Sequence, residues 1–125
     1  MAVSRKMFWT GWVISVLPCL LFVVSAVAKI VRPPEVVKGF AQVGVPEPLI
    51  LTIAILELSC VVIYLIPRTA ILGAILFTGF IGGAILTHLR VGEAVYTHIV
   101  LGILLWLGIY LREERLWPLL PIRRP

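Results

Sequence analysis

The sequence has no aspartate and little charge of any kind: of its 125 residues, 14% are charged, and all 6 acidic residues are glutamate. A soluble domain carries about a quarter charged residues, so this chain cannot cover a water-facing surface. That excludes a separate soluble domain and leaves one membrane domain, residues 1–125. Cysteine is equally scarce. Cys19 and Cys60 both fall inside apolar runs, far from any CxxC or metal spacing, and read as inert packing groups. A nucleophile elbow, a phosphate-binding loop and a dinucleotide fingerprint are all missing, so no covalent catalytic set can be assembled and no intrinsic cofactor is expected. His88 and His98 have no third ligand at useful spacing, which sets aside a metal site. Haem would need axial histidines near midplane, and His98 stands alone.

What is present is hydrocarbon: 61% of the residues are hydrophobic. They gather in four runs, about 8–28, 48–66, 69–89 and 95–111. Runs of this length match a hydrocarbon core of ~30 Å at ~1.5 Å rise per residue. Only helices serve there, because an open sheet leaves backbone groups unpaired in lipid. The expected fold is therefore all-α, a transmembrane four-helix bundle. Arg5 and Lys6, an apolar stretch and Ala26-Val27-Ala28 together resemble a signal peptide. The apolar run is longer than a signal core, so it is kept as the first span.

One substantial loop follows it. Pro33 and Pro34 stop the first helix, and Pro34 suits the first turn of a short helix with Glu35 against its N-terminal dipole. Val36, Val37 and Phe40 give that helix an apolar face, so an interfacial segment is expected over residues 34–43. The later connections, Pro67-Arg68 and Arg90 to Ala94, are short enough to make antiparallel hairpins.

The net charge of +5 does not point to nucleic acid, because the basic residues stand at the ends of apolar runs where they meet lipid headgroups. With a cytoplasmic N-terminus the inside carries Arg5, Lys6, Arg68, Arg112, Arg115, Arg123 and Arg124, and the outside Lys29, Arg32, Lys38 and Arg90. Seven against four favours both termini inside, in a plasma membrane of bacterial type. Trp9, Trp12, Trp106, Tyr110 and Trp117 gather near that side, and the basic tail, residues 112–125, is expected on cytoplasmic headgroups.

Small residues must bring the helices together, since lipid supplies no hydrophobic force between them. Ala70, Ala74, Thr78 and Gly82 form one stripe on the third span. Gly79, Gly83 and Thr87 form another, with a GxxxG pair. Two smooth faces suggest two helical neighbours. A homo-oligomer through Gly79 and Gly83 is the less favoured use of that pair.

Glu57 is the most informative residue. Near the middle of the second span, an ionised carboxylate costs at least ~2.5 kcal/mol. Matching depths across the hairpins places it level with Pro18 and Gly79. Pro18 leaves the carbonyl of Ile14 free, so a neutral Glu57 donating to it would act as helix glue. The functional reading makes Glu57 a proton relay or acid/base, with His98 as its candidate partner and with Cys60, Tyr64 and Arg68 giving polarity to the same face. At the outer mouth Lys29, Arg90, His88, Glu93 and Glu47 fall together. Lys29, His88 and Arg90 there, and Tyr64 on the face of Glu57, are candidate ligand-binding residues, against ordinary snorkelling of the cations.

Lys29 closing the first span, the Gly44-Val45-Pro46 turn, Glu57, Pro67-Arg68-Thr69-Ala70-Ile71-Leu72-Gly73-Ala74, and Gly82-Gly83-Ala84 leading into Thr87-His88-Leu89-Arg90 resemble the DoxX-like family of small membrane proteins. So does the ending from Trp106 through Tyr110-Leu111-Arg112 to Leu120-Pro121. The likeness covers nearly the whole chain. The family takes its name from a membrane subunit of a thiosulfate:quinone oxidoreductase, so the resemblance implies a quinone ligand and a membrane or peripheral redox protein as partner. Three readings follow. The leading one is an accessory subunit of a quinone-linked redox system. The second is a stand-alone membrane enzyme or carrier for a small lipophilic compound, and the third a structural or assembly protein without a ligand site.

Overall fold

The computed structural model describes residues 3–125, and its only regular elements there are helices. They are α1 (Arg5–Val31), α2 (Pro34–Gln42), α3 (Glu47–Leu65), α4 (Ala70–Leu89) and α5 (Tyr96–Arg112), with 3₁₀ turns at Pro67–Thr69 and Glu114–Leu116. α1, α3 and the stretch from Pro67 through α4 are long and apolar enough to cross a membrane, and α5 is a shorter apolar helix of 17 residues. The four-helix bundle and the short helix between its first two spans are as the sequence implies.

The helix ends have local causes. α1 outruns its apolar stretch because the Ser4 side chain caps it, accepting from the Met7 amide at 3.1 Å. It stops at Arg32, whose φ of 54° is left-handed, just before two prolines that admit no further helical turn. α2 then begins on Pro34, where the missing N–H costs nothing. Between α3 and α4 the Thr69 hydroxyl donates to the Ile63 carbonyl at 2.8 Å and closes the tight turn.

The spans pack in a ring. α1 lies against α3 and α5, and α4 against the same two helices from the opposite side; α2 rests on α3. The centre is aromatic: Phe22 meets Phe77 with ring centroids 4.8 Å apart, and Tyr64 meets Phe77 edge-on at 5.7 Å. The outer surface is as apolar as the core, with Leu21, Val24 and Ile103 all more than half exposed. Such a surface is compatible with lipid and not with water.

Close approach of the helices does come from small residues, but only in part from the ones singled out. A Cβ on Gly73 would lie 2.3 Å from Cα of Tyr64, and one on Gly108 would lie 2.3 Å from the Ser15 hydroxyl. Gly11 faces Gly108 across the α1–α5 seam in the same way. Ala70 and Ala74 are buried as expected, whereas a Cβ on Gly79, Gly82 or Gly83 would meet nothing within 4 Å. The second stripe of α4 therefore opens onto space instead of a neighbouring helix.

Candidate functional site

That space is a cleft of about 860 Å³ at the end of the bundle that carries α2. α1, α2 and α3 wall one side; Gly79 and Gly83 of α4 and His98 of α5 stand on the other. Most of the lining is apolar. A small set of polar groups converges in it.

Its centre is an ion pair. Nζ of Lys29 lies 2.8 Å from Oε1 of Glu57, and the two residues are 8% and 2% exposed, so both charges are removed from solvent together. Lys29 also donates to the Ser25 hydroxyl at 2.6 Å, one turn back on α1. Its ammonium lies 5.8 Å from the Phe40 ring centroid, so α2 covers it with an aromatic lid. Removing either partner alone leaves a charge uncompensated in a low-dielectric site.

This corrects the expected partner of Glu57. Tyr64 lies beside Ser15. Seven residues back along α3 is Glu57, and seven forward along α1 is Phe22, so Glu57 is level with Phe22 and nearer to Lys29 than to the carbonyl of Ile14. Direction completes the contact, because helical side chains lean toward the N-terminus of their helix. α1 and α3 are antiparallel, so Lys29 and Glu57 lean toward each other.

His98 and His88 complete the polar wall. Their ring centroids are 4.7 Å apart. Nδ1 of His88 is 2.7 Å from the Ala84 carbonyl, and because a carbonyl only accepts, this nitrogen is the donor. Nδ1 of His98 is buried without a partner among the described residues, which is uncommon for a buried polar atom, and the residue itself borders the cleft. Among those residues no third His, Cys, Asp or Glu joins the two histidines closely enough to hold a metal.

Of the six candidate residues, Glu57, Lys29, His88 and His98 thus share one cleft. Arg90 does not line it. Its guanidinium donates to the Val43 carbonyl at 2.6 Å and covers Gly44, whose φ of 81° makes the turn before α3. Tyr64 lies toward the other end of α3. Its hydroxyl donates to the Leu105 carbonyl and sits 3.0 Å from the Ser15 hydroxyl. Arg112 joins that group, donating from Nε to Ser15 at 3.2 Å with its guanidinium 4.1 Å from the Trp12 ring centroid. Sequence reading placed Arg112 among headgroup cations and missed this cluster. It also missed Ser25, although the four-residue spacing to Lys29 puts both on one face of α1.

A ring of apolar helices long enough to span a bilayer, with an ion pair buried beside an apolar cleft, defines an α-helical membrane protein. The chain belongs to the DoxX-like family, which it matches over residues 13–110. No curated protein and no solved structure matches it.

Proposed function

We propose that this DoxX-like membrane protein is the membrane-embedded accessory subunit of a quinone-linked redox system, and that the cleft takes the quinone headgroup. The observation that supports this most is the meeting, in one apolar cavity, of a buried Lys29–Glu57 pair and the unpartnered Nδ1 of His98. A small lipophilic ring with polar oxygens suits such a donor set, and about 860 Å³ is room enough for it. A quinone, when bound, accepts two electrons from the redox partner and two protons.

The chain's own residues bind and move protons. Lys29 donates a hydrogen bond to one ring oxygen. Glu57, held within reach by Lys29, gives up or accepts the proton exchanged with that oxygen. His98 does the same at its free nitrogen, and His88 and Glu93, both on the cleft wall, connect it to the aqueous side. The bundle lies in a plasma membrane of bacterial type with both termini cytoplasmic, so this exchange faces the opposite side. The second reading, a stand-alone enzyme or carrier for a small lipophilic compound, draws on the same observation: Glu57, although only 2% exposed, borders the cleft.

Equilibrium binding of a quinone to the purified protein in lipid nanodiscs tests the proposal. Wild type is expected to bind saturably, and Glu57→Gln to bind at least about tenfold more weakly, the loss of one charge-assisted contact. Equal affinity in both, or none in either, rejects it.

A further inference from the structure

A second cavity lies against the first. It is a groove of about 770 Å³ along the outer face of the α4–α5 seam, almost wholly apolar and far more open than the cleft. Ile81 and His98 belong to the walls of both, so the seam between α4 and α5 is all that separates them. There the seam is thin. Gly82 on α4 and Gly102 on α5 line the groove without side chains; a Cβ on Gly82 would meet nothing within 4 Å, and one on Gly102 only the tip of Ile81 at 3.9 Å.

From His98 the groove runs along α5 past Ile103 and Trp106 to Tyr110, a path of ~18 Å at the helical rise per residue. Its far wall is held in place. Trp106 donates from Nε1 to the Thr78 hydroxyl at 2.7 Å, which satisfies the indole's polar edge and leaves its ring as apolar lining.

We propose that the two cavities form one bipartite site for an amphiphile with a long flexible hydrocarbon tail. The polar head occupies the Lys29–Glu57 cleft, and the tail crosses the α4–α5 seam at Ile81 and His98 to lie in the groove down to Tyr110. The occupant of the groove is thus the ligand's own isoprenoid-type chain. Continuity argues for this, because the apolar channel begins at the residue that closes the polar one. His98 takes a place beyond proton exchange: it stands where head and tail join, and its ring decides which molecules can turn out of the cleft. This inference rests on the headgroup reading above, and the experiment separates the two.

Binding is measured in nanodiscs for two probes, a quinone with no side chain and the same ring bearing a long isoprenoid tail, with wild type, Gly82→Leu and Ile103→Trp. Each variant is compared with wild type for the same probe, so partition into the lipid cancels. Gly82→Leu enters the groove from α4, where its Cβ meets nothing within 4 Å, and Ile103→Trp narrows it from α5 at an exposed position. Either is expected to weaken the tailed probe by on the order of tenfold and to leave the tailless probe unchanged. If both probes bind wild type and neither variant distinguishes them, the groove holds only surrounding lipid; the tail assignment falls and the headgroup reading stands. If Gly82→Leu abolishes a dimer in nanodiscs while tailed binding persists, the groove seats a second copy and the tail assignment again falls. If neither probe binds wild type, the headgroup reading itself fails.

Discussion

The two ends of the bundle each hold a cation, Lys29 buried and Arg112 half-buried, and they do so differently. At the α2 end Lys29 is matched by a carboxylate, and the pair sits in a cleft beside an unused histidine nitrogen. At the end carrying the termini Arg112 has no acidic partner in contact; it is held by the Ser15 hydroxyl and by the faces of Trp12 and Tyr64. Among the described residues, Ser15, Trp12, Tyr64 and Arg112 line neither the cleft nor the groove. Gly11 and Gly108 instead bring α1 and α5 into backbone contact. A charge shielded by the fold is therefore not by itself a site. Space around the charge makes the difference, and α4 provides it through Gly79 and Gly83, whose faces are left uncovered.

The largest effect expected is at the paired end. Lys29→Met alone, or Glu57→Leu alone, leaves one charge unmatched and should cost about 3–5 kcal/mol, read as a loss of thermal stability in detergent. The double variant Lys29→Met/Glu57→Leu should recover most of that loss. If it does not, the pair is held by more than its own charges and the contrast with Arg112 weakens.

Next comes helix approach. Gly73→Ala forces its Cβ into the backbone of Tyr64 and should cost about 1–3 kcal/mol, whereas Gly83→Ala, which meets nothing, should gain up to about 1 kcal/mol from helix propensity. Denaturation midpoints for both variants in one detergent would show the opposite signs; equal destabilisation would mean that the cleft is closed in solution.

Ser15→Ala removes the hydroxyl shared by Tyr64 and Arg112. A cost of about 1–3 kcal/mol is expected for the groups left unsatisfied, with quinone binding intact. Loss of binding would join the two ends functionally and break the comparison. The smallest effect is Arg112→Lys, which keeps the charge but loses the planar face on Trp12. About 0.5–1 kcal/mol is expected, visible as a change in tryptophan emission.

The spans were legible because hydrocarbon thickness and helical rise leave little freedom in placing them. Their ends shifted only where a polar residue captured another turn, as Ser4 does for α1. Glu57 was legible because ionisable groups are rare at that depth, but its partner was not. Depths counted from the ends of apolar runs aligned it with Pro18, while the register follows from Ser15 facing Tyr64, a contact between residues 49 positions apart. The inward lean of Lys29 was recoverable in principle, since it depends only on chain direction. Arg112 was not: a basic residue ending an apolar helix looks the same whether it meets lipid or folds back over Trp12. The small-residue stripes misled for a related reason. A glycine row records that no side chain fits or that none is wanted, and only packing distinguishes Gly73 against Tyr64 from Gly83 above an open cleft.

The central claim is that ligand enters the end with the ion pair and not the end with the lone arginine. A photoreactive quinone cross-linked to wild type in nanodiscs and mapped by peptide mass spectrometry tests it directly. Label is expected on α1 near Ser25 and Lys29, on α3 near Glu57 and on α4 from Gly79 to Ala84, all displaced by unmodified quinone. Label concentrated around Trp12, Tyr64 and Arg112, or spread evenly over the lipid-facing surface, would contradict it.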